Sequence, residues 1–216
     1  MTNYWDHRFL EKINDNINII FEVGARYGNE SLELSNIFPN SKIYAFECNP
    51  NTVNLCKTNL ENKKNIQFIM SGLGDKNETR PFYSYIDNND GASSFLKRID
   101  SESTQKVTGY IDIKKLSTFM KENNVEYIDL LCMDVQGFEL NILKGSEEYL
   151  KKIKYIIMEE PKSIINTYYL PEGVHSKYIT APTSQEIRNF MLENNFIEVI
   201  RLQENRIEDN VMYKHI

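Results

Sequence analysis

Short apolar runs alternate with stretches of helical spacing along the chain. Ile17–Val23, Lys42–Phe46, Ile66–Met70, Tyr127–Met133 and Lys154–Glu159 each have the compact block of branched and aromatic residues that marks a buried strand. Leu32, Leu34, Ile37 and Phe38 supply the apolar face of a first helix, which Pro39-Asn40 ends. Pro50 opens a second, with Val53, Leu55, Cys56 and Leu60 near helical spacing. Further helices are predicted over about Ile113–Asn123, after Glu139, and over Ser184–Asn194. Two closing strands, Phe196–Arg201 and Val211–Tyr213, flank the polar turn Gln203–Arg206. This order predicts an α/β fold in which helices cover both faces of a parallel sheet, with Tyr127–Met133 too apolar on both faces to be an edge. Gly72–Thr108 departs from the pattern: turn residues surround strand-like pieces such as Pro81–Ile86, so it reads as an antiparallel insertion or edge. Pro161–Pro182 reads as a long loop, a length that often marks function. No repeat or linker interrupts residues 1–216, so one domain is expected.

Composition narrows the function. The chain has 216 residues, 41% hydrophobic and 26% charged, which suits a packed core and excludes disorder. Lys+Arg 25 against Asp+Glu 31 gives a net charge of −6, the wrong sign for neutralising phosphates on nucleic acid or lipid. A small-molecule or glycan partner is expected instead, with no nucleic acid and no membrane. Cys48, Cys56 and Cys132 form no C-x-x-C pair, which suggests neither a disulfide framework nor a thiolate zinc site and fits a reducing, cytoplasmic compartment. The start of the chain lacks an apolar signal core, and no run approaches the ~20 apolar residues of a spanning helix.

In an open parallel sheet the ligand sits beyond the carboxyl ends of the strands, and four such ends look chemical. The first run ends in Glu22-Val23-Gly24-Ala25-Arg26-Tyr27-Gly28. Its glycines suit close backbone approach to a ligand, but Arg26 stands where a dinucleotide fingerprint has its second glycine. An acid two residues before the first glycine suits the methionyl ammonium of S-adenosylmethionine. A tight strand-to-helix turn is the plain alternative. The second run ends in Phe46-Glu47-Cys48-Asn49-Pro50, whose Glu47 can accept both hydroxyls of a ribose. Ser71-Gly72-Leu73-Gly74-Asp75 follows the third run and could meet an adenine edge, and Asp134-Val135-Gln136-Gly137-Phe138-Glu139 follows the fourth.

With these four turns, the serine pair Ser93-Ser94 and Leu143-Lys144-Gly145 in this order over about residues 17–160, the chain resembles the FkbM-type methyltransferases. Asp209–Tyr213 is also similar to the family's last strand. The resemblance implies a class I methyltransferase (Rossmann-like) fold: a mostly parallel, seven-stranded twisted sheet with an antiparallel last strand. It further implies S-adenosylmethionine as methyl donor and O-methylation of a sugar, sugar nucleotide or related small metabolite. Carried over, Glu22, Gly24 and Gly28 line the methionyl end together with Ala25 of the same loop. Glu47 takes the ribose beside Cys48, Ser71 and Gly72 meet the adenine, and Asp134 lies beside the transferring methyl. Cys132 stands where a lysine is frequent in the family, and Phe138 where a small residue is.

Methyl transfer from a sulfonium needs alignment above all, but a hydroxyl must still lose its proton. The candidate bases are Asp134, Glu139, Glu159, Glu160 and His175, of which Asp134, Glu160 and His175 form the catalytic set. Asp134 reads equally as a strand-end acid or an ammonium partner, Glu139 as a helix-opening acid and His175 as a loop surface residue. Asp134, Glu159 and Glu160 are also of the type that holds Mg²⁺, for which the sequence offers no further support. Tyr168, Tyr169 and Tyr178 could stack on an acceptor ring or pack the 161–182 loop. Two other readings stay open: a nicotinamide-dependent oxidoreductase, which Arg26 disfavours, and a non-catalytic S-adenosylmethionine-binding module.

Overall fold

The computed structural model describes residues 7–85, 90–99, 105–162, 176–203 and 207–216. Its elements run α1 (His7–Leu10), β1 (Ile19–Val23), α2 (Asn29–Ile37), β2 (Lys42–Phe46), α3 (Val53–Leu60), β3 (Ile66–Ile69), β4 (Gly72–Gly74) and β5 (Glu78–Tyr85). They continue through β6 (Gln105–Lys115), α4 (Leu116–Glu122), β7 (Ile128–Met133), α5 (Glu139–Lys144), β8 (Ile153–Pro161), α6 (Ser184–Glu193), β9 (Phe196–Gln203) and β10 (Glu208–His215). Seven strands form one sheet in the order β3-β2-β1-β7-β8-β10-β9, and β4-β6-β5 form a second, smaller one. In the large sheet β10 runs antiparallel to both neighbours, with Met212 opposite Ile157 and Ile200, and the other pairings are parallel.

Alternation along the strands divides the core in two. Phe21, Tyr44, Phe46, Leu131, Met133, Ile156 and Met158 face α4, α5 and α6, meeting Phe119, Leu140, Ile142, Ile187 and Met191. Ile20, Ile43, Leu130, Cys132, Tyr155 and Ile157 point the other way, toward Phe9 of α1 and Leu34 of α2, while Ala45 meets Cys56 and Leu60 of α3 on that side. Both faces of β7 are therefore covered, and all six of its residues are buried. The carboxylate of Asp129 fixes where β1 enters by accepting the amides of Asn18 at 2.7 Å and Ile19 at 2.9 Å.

The expected helix over Ile113–Asn123 begins later, at Leu116. Ile113 to Lys115 instead complete β6, where Ile113 lies opposite Gly72 of β4 and Glu78 of β5. Ile113 fills the aromatic cluster of Phe82, Phe95 and Phe138, a long-range contact that overrides its helical spacing. Among the described residues no helix is long and apolar enough to cross a membrane.

Candidate active site

The strand order reverses between β1 and β7, and a cleft opens beyond their carboxyl ends, the expected place for a ligand in an open α/β sheet. It encloses about 990 Å³ of empty space, open mouth included. Phe46, Leu73 and Met133 supply an apolar floor, and Glu22, Glu47 and Asp134 converge on it. Phe82, Phe95 and Phe138 form the wall toward the smaller sheet, with Phe82 and Phe95 edge to face at 4.9 Å between ring centres.

Glu22 points toward α2, where the Ser31 hydroxyl donates to it. Burial raises its carboxyl pKa to about 8, against the pull of Ser31 and with help from Glu30 and Glu47, so it keeps a proton near neutrality. Glu47 is held by three amides: Arg26 donates to Oε2 at 2.5 Å, and Cys48 and Asn49 donate to Oε1 at 2.8 and 2.6 Å. Burial still moves its pKa upward despite those amides. Gly24 has φ +93°, and a Cβ there would lie 2.0 Å from the main-chain oxygen of Asp134, so only glycine lets the β1 loop cross the end of β7.

Several expected residues occupy other places. Ala25 is fully buried against Ala45, Cys56 and Leu60, and its amide donates to the Phe46 carbonyl. Gly28, also left-handed, leaves room for the Leu60 side chain, 2.8 Å from where its Cβ would be. Neither lines the cleft, whereas Cys48, Ser71 and Gly72 do. Burial pushes the thiols of Cys48 and Cys132 well up. Glu160 is fully buried away from the cleft. It takes hydrogen bonds from Tyr213, from Ser184 at 3.2 Å and from Arg201 at 2.9 Å, and so joins β8, β9, β10 and α6. His175, Tyr168 and Tyr169 lie outside the described residues, which also contain no cluster of three or more His, Cys, Asp or Glu side chains able to hold a metal.

The turn after β7 is the busiest part of the wall. Glu139 closes it by accepting the amides of Val135 at 3.1 Å and Gly137 at 3.4 Å, and burial raises its carboxyl to about 8. Ser94 ties the 90–96 segment to the same turn through the Gln136 carbonyl at 2.9 Å. The Gln136 side chain, unassigned from sequence, donates to Asp134 at 2.5 Å and to Glu159 at 3.1 Å. Its motif was visible, but its partners come from other elements.

A family model described as the methyltransferase FkbM domain matches residues 22–198. The chain belongs to this family. Among curated relatives, 2-O-methyltransferase NoeI of Sinorhizobium fredii is 22% identical over 65% of this chain and 62% of its own length. Methyltransferase 1 of Beauveria bassiana is 28% identical over 65% of this chain and 63% of its own. The matched stretch thus spans less than two thirds of either relative. Fibrillarin of Aeropyrum pernix, solved with natively bound S-adenosylmethionine, is 14% identical with a TM-score of 0.54, over 97% of this chain and 75% of that one. The fold is the class I methyltransferase fold.

The groups of the FkbM cleft suit S-adenosylmethionine. Two acids, Glu22 and Glu47, line it and can accept hydrogen bonds from a polar ligand. The Ser93 hydroxyl oxygen is buried in the cleft wall with no hydrogen-bond partner among the described residues, a group that a polar ligand would satisfy.

Proposed function

We propose that the chain is an S-adenosylmethionine-dependent O-methyltransferase acting on a hydroxyl of a sugar, sugar nucleotide or related small metabolite. The observation that carries this reading is that a single cleft is lined both by Glu22 and Glu47, acids that support cofactor binding, and by Asp134 at the end of β7. When bound, S-adenosylmethionine supplies an activated methyl group on a sulfonium. Glu47 holds the ribose, and Glu22 takes the methionyl ammonium, whose positive charge draws off the proton that burial keeps on this carboxyl in the empty cleft. Asp134 takes the proton of the acceptor hydroxyl, a role its position at the cleft wall supports. The 2-O-methyltransferase name of NoeI supports a hydroxyl acceptor.

The test pairs calorimetry with S-adenosylmethionine, its demethylated product and NAD with transfer of labelled methyl to a panel of sugars and sugar nucleotides. Asp134→Asn should lower kcat at least about 10²-fold while cofactor affinity stays within about threefold, as expected for loss of a general base. Binding of NAD in place of S-adenosylmethionine overturns the reading. An unchanged kcat for Asp134→Asn makes Asp134 structural.

A further inference from the structure

We infer that Gln136 is the positioning residue of an acid pair: its side-chain amide holds the Asp134 and Glu159 carboxylates in one arrangement, and the Tyr178 hydroxyl holds that amide. The arrangement stands on geometry alone; what the acids do rests on the methyl-transfer reading above.

A primary amide has two N–H donors and one carbonyl acceptor. Ionised carboxylates only accept, so the Gln136 nitrogen faces Asp134 Oδ1 at 2.5 Å and Glu159 Oε2 at 3.1 Å. The phenol donates, so the Gln136 oxygen faces Tyr178, whose hydroxyl lies 2.5 Å away and also within 3.1 Å of the Ala92 carbonyl. Every polar group of the amide is thus used, and one nitrogen brings together carboxylates from the ends of β7 and β8.

Tyr178 is itself held. Residues 97–99 and 177–179 pair through Ile99 N to Lys177 O at 2.9 Å and Ile179 N to Lys97 O at 2.8 Å. The Arg98 guanidinium lies 5.5 Å from the Tyr178 ring centre and 5.6 Å from that of Tyr85. Burial pushes the Tyr178 pKa well up, so it remains a donor. Gln136 has φ +55°, a left-handed conformation that is unfavourable for a residue with a side chain and that carries its amide to both acids.

The two N–H groups favour the charged forms of both acids, so losing them should raise both titration midpoints. Among the described residues, Glu139 couples to Asp134, and Glu208 and Arg98 act on Tyr178.

The test uses Gln136→Gly, which relieves the backbone, and Gln136→Glu, which keeps the shape and the acceptor for Tyr178 but replaces the two donors with a third carboxylate. Carboxyl NMR titration of the protein alone, with signals assigned through Asp134→Asn and Glu159→Gln, should show both midpoints raised by at least about half a unit in either variant. The acid limb of the kcat profile should move to higher pH by a similar amount. Because small misplacements of reacting groups are costly, kcat should fall at least about tenfold with cofactor affinity held within about threefold. Tyr178→Phe should shift the midpoints in the same direction by less. Unmoved midpoints with a superimposable pH profile overturn the proposal. If the native protein transfers no methyl, the methyl-transfer reading fails, while the NMR titration still decides the role of Gln136.

Discussion

Glu22→Gln should stabilise the protein at pH 8 relative to pH 5.5, by an amount set by burial on the cleft floor. Glu22 is 5% exposed, and burial moves its carboxyl pKa from 4.5 to about 8. In the unfolded chain the group ionises near 4.5, so between that pH and about 8 the unfolded state has released a proton that the native state retains. Its contribution to native stability is whole below the unfolded pKa and is lost as pH rises through the folded one. Each pH unit inside that interval costs about 1.4 kcal/mol, so from pH 5.5 to 8 the loss is about 3 kcal/mol. Glutamine has no such proton, and its carbonyl oxygen can still accept from Ser31. Glu139, also at about 8, imposes its own loss on both proteins, so only the difference between them isolates Glu22. Urea unfolding followed by circular dichroism at the two pH values measures that difference. If native and variant lose stability in parallel, to within about 0.5 kcal/mol, Glu22 is already ionised in the folded protein at pH 5.5 and the argument from burial fails.

Glu47→Gln puts an NH₂ group against amides that already donate, and it should weaken S-adenosylmethionine and its demethylated product by about 1.5 to 3 kcal/mol, roughly tenfold to a hundredfold. Calorimetry showing undiminished binding by the folded variant removes Glu47 from the site. Glu160→Gln should cost about 1.5 kcal/mol of stability in urea, because the bond from Arg201 loses its charged acceptor while Glu198 and Asp209 still pair with Arg201, and cofactor affinity is unchanged. Affinity falling together with stability would mean that the Glu160 cluster reaches the cleft.

The sheet is legible because its strands are buried on both faces: Lys42–Phe46 matches β2 at both ends, and Tyr127–Met133, too apolar for an edge, contains the central strand Ile128–Met133. Beyond the sheet, legibility fell where long-range contacts decide. Ile113 looked helical beside its neighbours, and only its partners in β4 and β5 make it strand. Gly28 looked like a ligand-facing glycine, but what it accommodates is Leu60, 32 residues later in the chain. Glu160 sat beside Glu159 in a promising pair, yet alternation along β8 turns the two apart, one toward Gln136 and the other into the Arg201 cluster. The DVQG turn was recognisable as a motif, while the function of its glutamine depends on Glu159 and Tyr178, 23 and 42 residues away.

The pairing of residues 97–99 with 177–179 also sets an order of assembly. During synthesis the strands and helices that build the cofactor side, from β1 to β3, are complete by Ile69, and Phe95 and Leu96 follow soon after. Tyr178, which packs with them and bonds to Ala92, emerges 86 residues behind that partner. Until then the cluster of Phe82, Phe95, Leu96, Ile113 and Phe138 is one aromatic ring short, and incompletely packed apolar surface is the kind that holds chaperones or other nascent chains. A chain stopped short of residue 176 would therefore retain the strands and helices of the cofactor half yet behave as an aggregation-prone fragment.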